Sequence, residues 1–145
     1  MTDRARPDPR SAYRHFLPIQ TRWSDNDAYG HVNNVVYYGW FDTVVNAYLI
    51  DAGALDIARS PVVGLVVETR CSYFSELAFP QPVEAGLRVA RIGTSSVRYE
   101  IGIFAARAEV AAAQGHFIHV YVDRASRRPA SLPAPLRAAL ERIHA

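Results

Sequence analysis

Between positions 35 and 50 the sequence reads VVYYGWFDTVVNAYLI, and the apolar residues of this run point in almost every direction around a helical wheel. A helix that is apolar on all sides is expected to be buried. At roughly 16 to 18 residues the run is too long for a strand. It is also slightly short for a comfortable membrane span, and Asp42 and Asn46 sit within it. Asn33 or Asn34 can cap its start, and Gly53 can serve as the left-handed residue just past its end. Any fold open to this chain must wrap something around that helix.

The wrapping is written further along. After a loop carrying Asp56, Arg59 and Pro61, the hydrophobic period falls to two. In LVVETRCSYF, Leu65, Val67, Thr69, Cys71 and Tyr73 alternate with Val66, Glu68, Arg70, Ser72 and Phe74. VEAGLRVARI places Val83, Ala85, Leu87 and Val89 opposite Glu84, Gly86 and Arg88, and SVRYEIGIF places Val97, Tyr99, Ile101 and Ile103 opposite Arg98 and Glu100. These are expected to be half-buried strands, with a hairpin at Gly93-Thr94 and a last strand over GHFIHVYVD, 115–123. Upstream of the helix, Tyr13, His15, Leu17, Ile19, Thr21 and Trp23 share one side of an extended chain, a first strand in which Pro18 marks an edge or bulge. Residues 1–11 are expected to form a loose polar arm, and 134–143 a short C-terminal helix after a proline-punctuated loop. The order is one strand, one long helix, then four antiparallel strands. Five strands cannot hide both the helix and their own outer face, so the expected architecture is α+β, a curved antiparallel sheet wrapped around the helix and continued across a dimer.

At 145 residues the chain suits one domain, 1–145, with enough apolar surface to fold without staples or metals. A net charge of +2 is too small to argue for nucleic acid. The single cysteine, Cys71, rules out an intrachain disulfide and a Cys-rich zinc site and fits a reducing compartment. The N-terminal residues have charges but no apolar stretch behind them, and no later run of 18 residues lacks charge, so no membrane segment is expected and the cytoplasm is the default location.

The segment leading into the helix, TRWSDNDAYGHVNN, is dense in polar groups. A buried helix start leaves backbone N–H groups without internal partners and adds the positive end of the helix dipole. If Asn34 opens the helix, Asp27, Gly30, His31 and Val32 form the approach turn, and Gly30 allows a tight or left-handed bend that brings amides near a ligand. Turn and cap work alone would explain each polar residue singly. Together they exceed it, because two asparagines suffice for a cap and leave two carboxylates and a histidine over. A carboxylate beside aimed amides suits acyl hydrolysis: the amides stabilise charge developing on a carbonyl oxygen, and the carboxylate attacks directly or takes a proton from water. A thioester is the easiest such substrate, since its thiolate leaves with little help.

With these residues in view, RWSDNDAYGHVNNVVYYGW resembles the hotdog-fold thioesterases, in particular the 4-hydroxybenzoyl-CoA thioesterase-like family, and also the corresponding segment of plant acyl-acyl-carrier-protein thioesterases. The resemblance covers residues 13–140. It implies the hotdog fold, with Asp27 as the catalytic carboxylate, acting as nucleophile or general base, and the Asn34 backbone amide as the donor that polarises the carbonyl. His31 matches the histidine of the carrier-protein enzymes and is given an assisting role, although Tyr29 stands where those enzymes have an Asn. Glu76 falls where they place a glutamate. The resemblance further implies an active site at a homodimer interface, in some relatives within a dimer-of-dimers tetramer, and no cofactor. The acyl group, fatty or aromatic, is expected against Tyr37, Tyr38 and Phe41, with Gly30 and Val32 in the approach turn beside it.

Other signals are weaker. His116 and His119 are three apart on a strand, point to opposite faces and cannot chelate one ion together, so no metal is expected. No G-x-G-x-x-G, Walker or G-x-S-x-G motif occurs. Arg70, Arg88, Arg91, Arg98 and the late cluster Arg124, Arg127 and Arg128 are candidates for CoA phosphates, though outward positions that keep the protein soluble account for each of them better. The sequence therefore points to an acyl-CoA thioesterase. The rivals are an acyl-carrier-protein thioesterase, a non-catalytic acyl-binding module of the same fold, and a hotdog dehydratase, whose Asp and His lie further apart.

Overall fold

The computed structural model describes residues 5–145. Strand β1 (His15–Ile19) precedes the long helix α1 (Asn34–Asp51), followed by β2 (Val62–Tyr73), β3 (Val83–Ile92), β4 (Ser96–Ala105), β5 (Ala113–Asp123) and the short helix α2 (Ala134–Glu141). The five strands form one antiparallel sheet in the order β1-β3-β4-β5-β2. The curved sheet holds α1 on its inner face, which is the hotdog architecture.

The ends of α1 follow from its sequence. Asn33 is the cap, its side-chain oxygen accepting from the Val35 amide at 3.2 Å. At the other end Gly53 takes φ +72°, and the bonds from the Gly53 amide to the Ile50 carbonyl (3.0 Å) and from the Ala54 amide to the Leu49 carbonyl (2.9 Å) close the helix in a Schellman motif. The all-round burial expected of α1 is not what the single chain shows. Tyr37, Trp40, Phe41, Val44, Val45 and Leu49 are buried against the sheet, whereas Val35 is 61% exposed and Tyr38 and Ile50 also face out. A single sheet covers one side of a helix, and the opposite apolar stripe is left uncovered.

The inner face of β3 and β4 alternates as its period requires, with Ala85, Leu87, Val89, Val97, Tyr99, Ile101 and Ile103 buried. β2 departs from the half-buried strand expected. A bulge between Val66 and Glu68 breaks its register with β5, and Leu65, Val66 and Val67 are exposed. β1 is shorter than the expected 13–23, and its Pro18 lies on a sheet edge, where a missing donor is tolerated.

Tyr13 does not share the inner side with His15. It crosses to the outer face, where it packs edge-on against Phe104 at 5.7 Å and Phe16 at 6.4 Å. Gly86 and Gly102 make room for its ring: a Cβ on Gly102 would lie 2.7 Å from it. The arm is not loose where it is described; its residues 1–4 lie outside the described residues. The Asp8 carbonyl accepts from the Ala111 amide at 3.0 Å, the Arg10 amide donates to the Glu109 carbonyl at 2.9 Å, and Arg10 pairs with Glu84 at 3.2 Å. The arm is held because the outer face of the sheet is itself apolar at Phe104 and needs a cover. Helix α2 ends at Glu141 rather than residue 143, and Leu136, Ala139 and Leu140 seal the core below the last turns of α1.

Candidate active site

The approach to α1 is a tight loop. The Asp27 amide donates to the His31 carbonyl at 2.9 Å and the Gly30 amide to the Asp27 carbonyl at 3.1 Å, with Gly30 at φ +86°. A Cβ on Gly30 would meet nothing within 4 Å, so glycine is needed there for its dihedral and not for space. The Val32 amide donates to the Leu77 carbonyl at 2.7 Å and pins the loop to the segment after β2. Of the two aspartates, the buried Asp25 is structural: its carboxylate accepts from the Arg22 amide at 2.8 Å and pairs with the Arg22 guanidinium at 3.1 Å.

Asp27 is the other carboxylate, and it faces a cavity. Its Oδ1 accepts from the Tyr29 amide at 2.9 Å, which orients the group and leaves Oδ2 3.8 Å from His31 Nδ1. His31 Nε2 lies 3.9 Å from Glu76 Oε1, so the imidazole stands between two carboxylates without a short bond to either. The cavity, about 300 Å³, is lined on the loop and helix side by Asp27, His31, Val32, Asn34 and Tyr37, and on the β2 side by Tyr73, Phe74, Ser75 and Glu76. The start of α1 opens onto it. The Asn33 side chain occupies the Val35 amide and the Asn33 carbonyl the Val36 amide at 3.0 Å, whereas the Asn34 amide makes no hydrogen bond among the described residues. A free N–H at the positive end of a helix, sharing a cavity with a carboxylate, can hold the oxygen of a carbonyl whose carbon the carboxylate, or a water it activates, attacks.

The structure thus gathers Asp27, His31, Val32, Asn34, Tyr37 and Glu76 in one place. Gly30 shapes the loop without lining the cavity. Tyr38 lies on the exposed side of α1, and Phe41 is wholly buried beneath it; neither lines the cavity. Three lining residues were not singled out from the sequence. Tyr73 and Phe74 read as ordinary strand positions and Ser75 carried no signal, because only the fold carries the end of β2 past the start of α1. Tyr73 also fastens the two, its hydroxyl donating to the Asn34 carbonyl at 3.1 Å.

Arg70, Arg88 and Arg98 lie elsewhere, around a hollow on the outer face of the sheet. On the outer face Arg88 and Arg98 converge on Glu100 at 2.8 and 3.0 Å, and Arg88 reaches Asp8 at 3.3 Å. Burial pushes the Glu100 carboxyl up, but hydrogen bonds from Arg98 and Arg88 outweigh it and hold it below its ordinary value. His116 contacts Glu68 and Arg98 there, while His119 is buried on the inner face among Tyr99, Phe117 and Tyr121, so the two histidines do lie on opposite faces. Among the described residues no three His, Cys, Asp or Glu side chains group as a metal site.

The fold is that of the hotdog thioesterases. The description "Thioesterase-like superfamily" matches residues 21–140, and the chain belongs to that family. The PA5185 protein of Pseudomonas aeruginosa is 54% identical over 97% of this chain and 98% of its own, with a TM-score of 0.94. Slr0204 of Synechocystis, a 1,4-dihydroxy-2-naphthoyl-CoA thioesterase, is 17% identical over 86% of this chain and 93% of its own, with a TM-score of 0.78. The BH1999 gentisyl-coenzyme A thioesterase is 20% identical over 87% and 99%, with a TM-score of 0.76. These last two likenesses are of fold. No curated protein matches the sequence significantly.

Proposed function

We propose that the protein hydrolyses a fatty or aromatic acyl-CoA to the free acid and CoA, with Asp27 as the reacting carboxylate and the Asn34 amide as the oxyanion donor. The observation that carries this reading is that Asn34, whose amide has no partner among the described residues, lines the same cavity as Asp27 at the start of α1. In one route an Asp27 oxygen attacks the thioester carbon, the CoA thiolate leaves, and water opens the resulting anhydride. In the other, Asp27 takes a proton from a water that attacks directly, and the thiolate leaves and picks up a proton. Both place negative charge on the carbonyl oxygen, where the Asn34 amide and the α1 dipole stabilise it. His31 assists as a neighbour able to relay a proton between Asp27 and Glu76. The names of Slr0204 and BH1999 support CoA as the carrier of the acyl group.

The working unit in this reading is a homodimer, or a tetramer made of two such dimers. β2 is a sheet edge that exposes Leu65, Val66 and Val67, and α1 exposes Val35 and Tyr38, both apolar surfaces suited to a second copy. No helix among the described residues is long and apolar enough to cross a membrane, and a cytoplasmic location is part of the proposal. The test is thiol release from short, medium, long-chain and aromatic acyl-CoAs by the wild-type protein and Asp27→Asn. A loss on the order of 10² to 10⁴ in turnover is expected of the variant. Hydrolysis near the wild-type rate by Asp27→Asn sinks the assignment. Silence of both proteins across the panel favours a carrier-protein substrate or a binding module without turnover.

A further inference from the structure

Tyr37 stands one turn into α1 with its ring edge-on to Trp40 at 5.2 Å and to Tyr73 at 5.0 Å. This packing leaves the residue 3% exposed and fixes where its phenol oxygen lies. Other tyrosines held in the fold use their oxygens: Tyr99 and Tyr121 bond each other at 2.6 Å, Tyr48 donates to the Ala139 carbonyl at 2.6 Å, and Tyr73 to the Asn34 carbonyl. The Tyr37 hydroxyl makes no hydrogen bond among the described residues. It is not sealed off either, since among the described residues the only sealed side-chain polar atom without a partner is His119 Nε2. Tyr37 lines the cavity bordered by Asp27 and Asn34, the open space available to its hydroxyl.

Resting on the thioesterase reading, we propose that the Tyr37 hydroxyl is a specificity-determining group that donates a hydrogen bond to an uncharged oxygen, hydroxyl or keto, carried by the acyl group of the substrate. The thioester carbonyl belongs at the Asn34 amide and Asp27. Tyr37 stands further along the helix, in a wall whose other members, Val32, Tyr73 and Phe74, are mainly apolar, and this is the wall an acyl group would follow. The carboxylates of Asp27 and Glu76 border the same cavity and disfavour an acyl group bearing its own carboxylate. Burial pushes the Tyr37 phenol up to about 12, with Cys71 and Glu76 adding to the effect, so it remains a donor throughout the working range. A pocket that offers a fixed, buried donor penalises a ligand that leaves it bare. Because this cavity also admits water, the penalty is expected to be about 10- to 100-fold and not the larger factor of a sealed site.

The experiment compares kcat/KM for matched pairs, benzoyl-CoA with hydroxybenzoyl-CoAs and hexanoyl-CoA with 3-hydroxyhexanoyl-CoA, in the wild-type protein and in Tyr37→Phe. The wild type is expected to prefer the oxygenated member of at least one pair by about 10- to 100-fold, and Tyr37→Phe to bring that ratio close to one. Absence of a preference in the wild type, or a preference that survives in Tyr37→Phe, overturns the proposal. An equal fall for both members of each pair also overturns it and places the phenol at the thioester carbonyl. If neither protein turns over any acyl-CoA, the thioesterase reading fails separately. Calorimetric titration of the same pairs into Asp27→Asn, with and without Tyr37→Phe, then decides the Tyr37 question: a Kd ratio of tenfold or more lost with the hydroxyl supports it, and equal affinities refute it.

Discussion

His119 keeps an imidazole on the inner face of the sheet, 4% exposed, in edge contact with Tyr99 at 5.1 Å and Phe117 at 4.5 Å, with no partner for its Nε2 among the described residues. Burial pushes its pKa down to about 4 from an ordinary 6.5. Above pH 6.5 the side chain is neutral in both folded and unfolded chains and has no effect on the balance. Between 6.5 and 4 the unfolded chain binds the proton and the folded one does not, so stability falls with pH across that window, by up to about 3 kcal/mol in total. Replacing His119 with Phe removes the titration and keeps the packing. The difference in melting temperature between pH 7 and pH 4.5 is expected to be smaller for His119→Phe than for the wild type, and equal differences would show that other groups dominate the acid response. At this scale the sequence was partly legible. Asp27, His31 and Asn34 stood together because they are close in the chain, but nothing in the sequence distinguished the orphaned nitrogen of His119 from any strand histidine, since partners are set by contacts far apart in sequence.

Helix α1 shows how an element's ends are written locally. Its start rests on one side-chain cap, and Asn33→Ala is expected to lower stability by about 1 kcal/mol. Urea unfolding should show this as a lower midpoint with an unchanged slope. A midpoint equal to that of the wild type would mean that the loop bonds before the helix, the Asp27–Gly30 turn and the Val32–Leu77 bond, hold the end alone. Asparagine at 33 and glycine at 53 were readable as caps because a cap depends on three or four neighbouring residues. The face that α1 buries was not readable, because a run apolar in all directions has no preferred side. The sheet chose it, burying Tyr37, Trp40, Phe41, Val44, Val45 and Leu49. β2 is the strand its period of two predicts, but for a related reason its burial was not readable: the bulge after Val66 and the lack of a neighbour beyond it leave Leu65, Val66 and Val67 outside, while Val62 and Cys71 pack against the core.

At the scale of the whole molecule, the β2 edge, with Val67 59% exposed, and the outward stripe of α1 are uncovered apolar surfaces among the described residues. A lysine on a sheet edge opposes strand addition, so Val67→Lys is expected to turn the proposed dimer into a monomer at micromolar concentration, as read by light scattering. Its thermal unfolding should stay cooperative. Thiol release should fall with the dimer if the partner completes the site; a dimer that persists in the variant would place the interface elsewhere. What the sequence by itself determined is whatever depends on neighbours along the chain: the strand–helix–four-strand order, the caps of α1, the glycine turn before it, and the placing of Asp27 and the Asn34 amide at one helix start. The tertiary structure alone decided which side of α1 is buried, that Arg10 of the polar arm covers Phe104, that Glu76 and Tyr73 come to meet His31 and Asn34, and that Tyr37 lines the cavity with no hydrogen bond from its hydroxyl among the described residues. Those outcomes depend on which surfaces meet after the chain has turned back on itself several times, and hydrophobic attraction, being non-directional, does not specify them residue by residue.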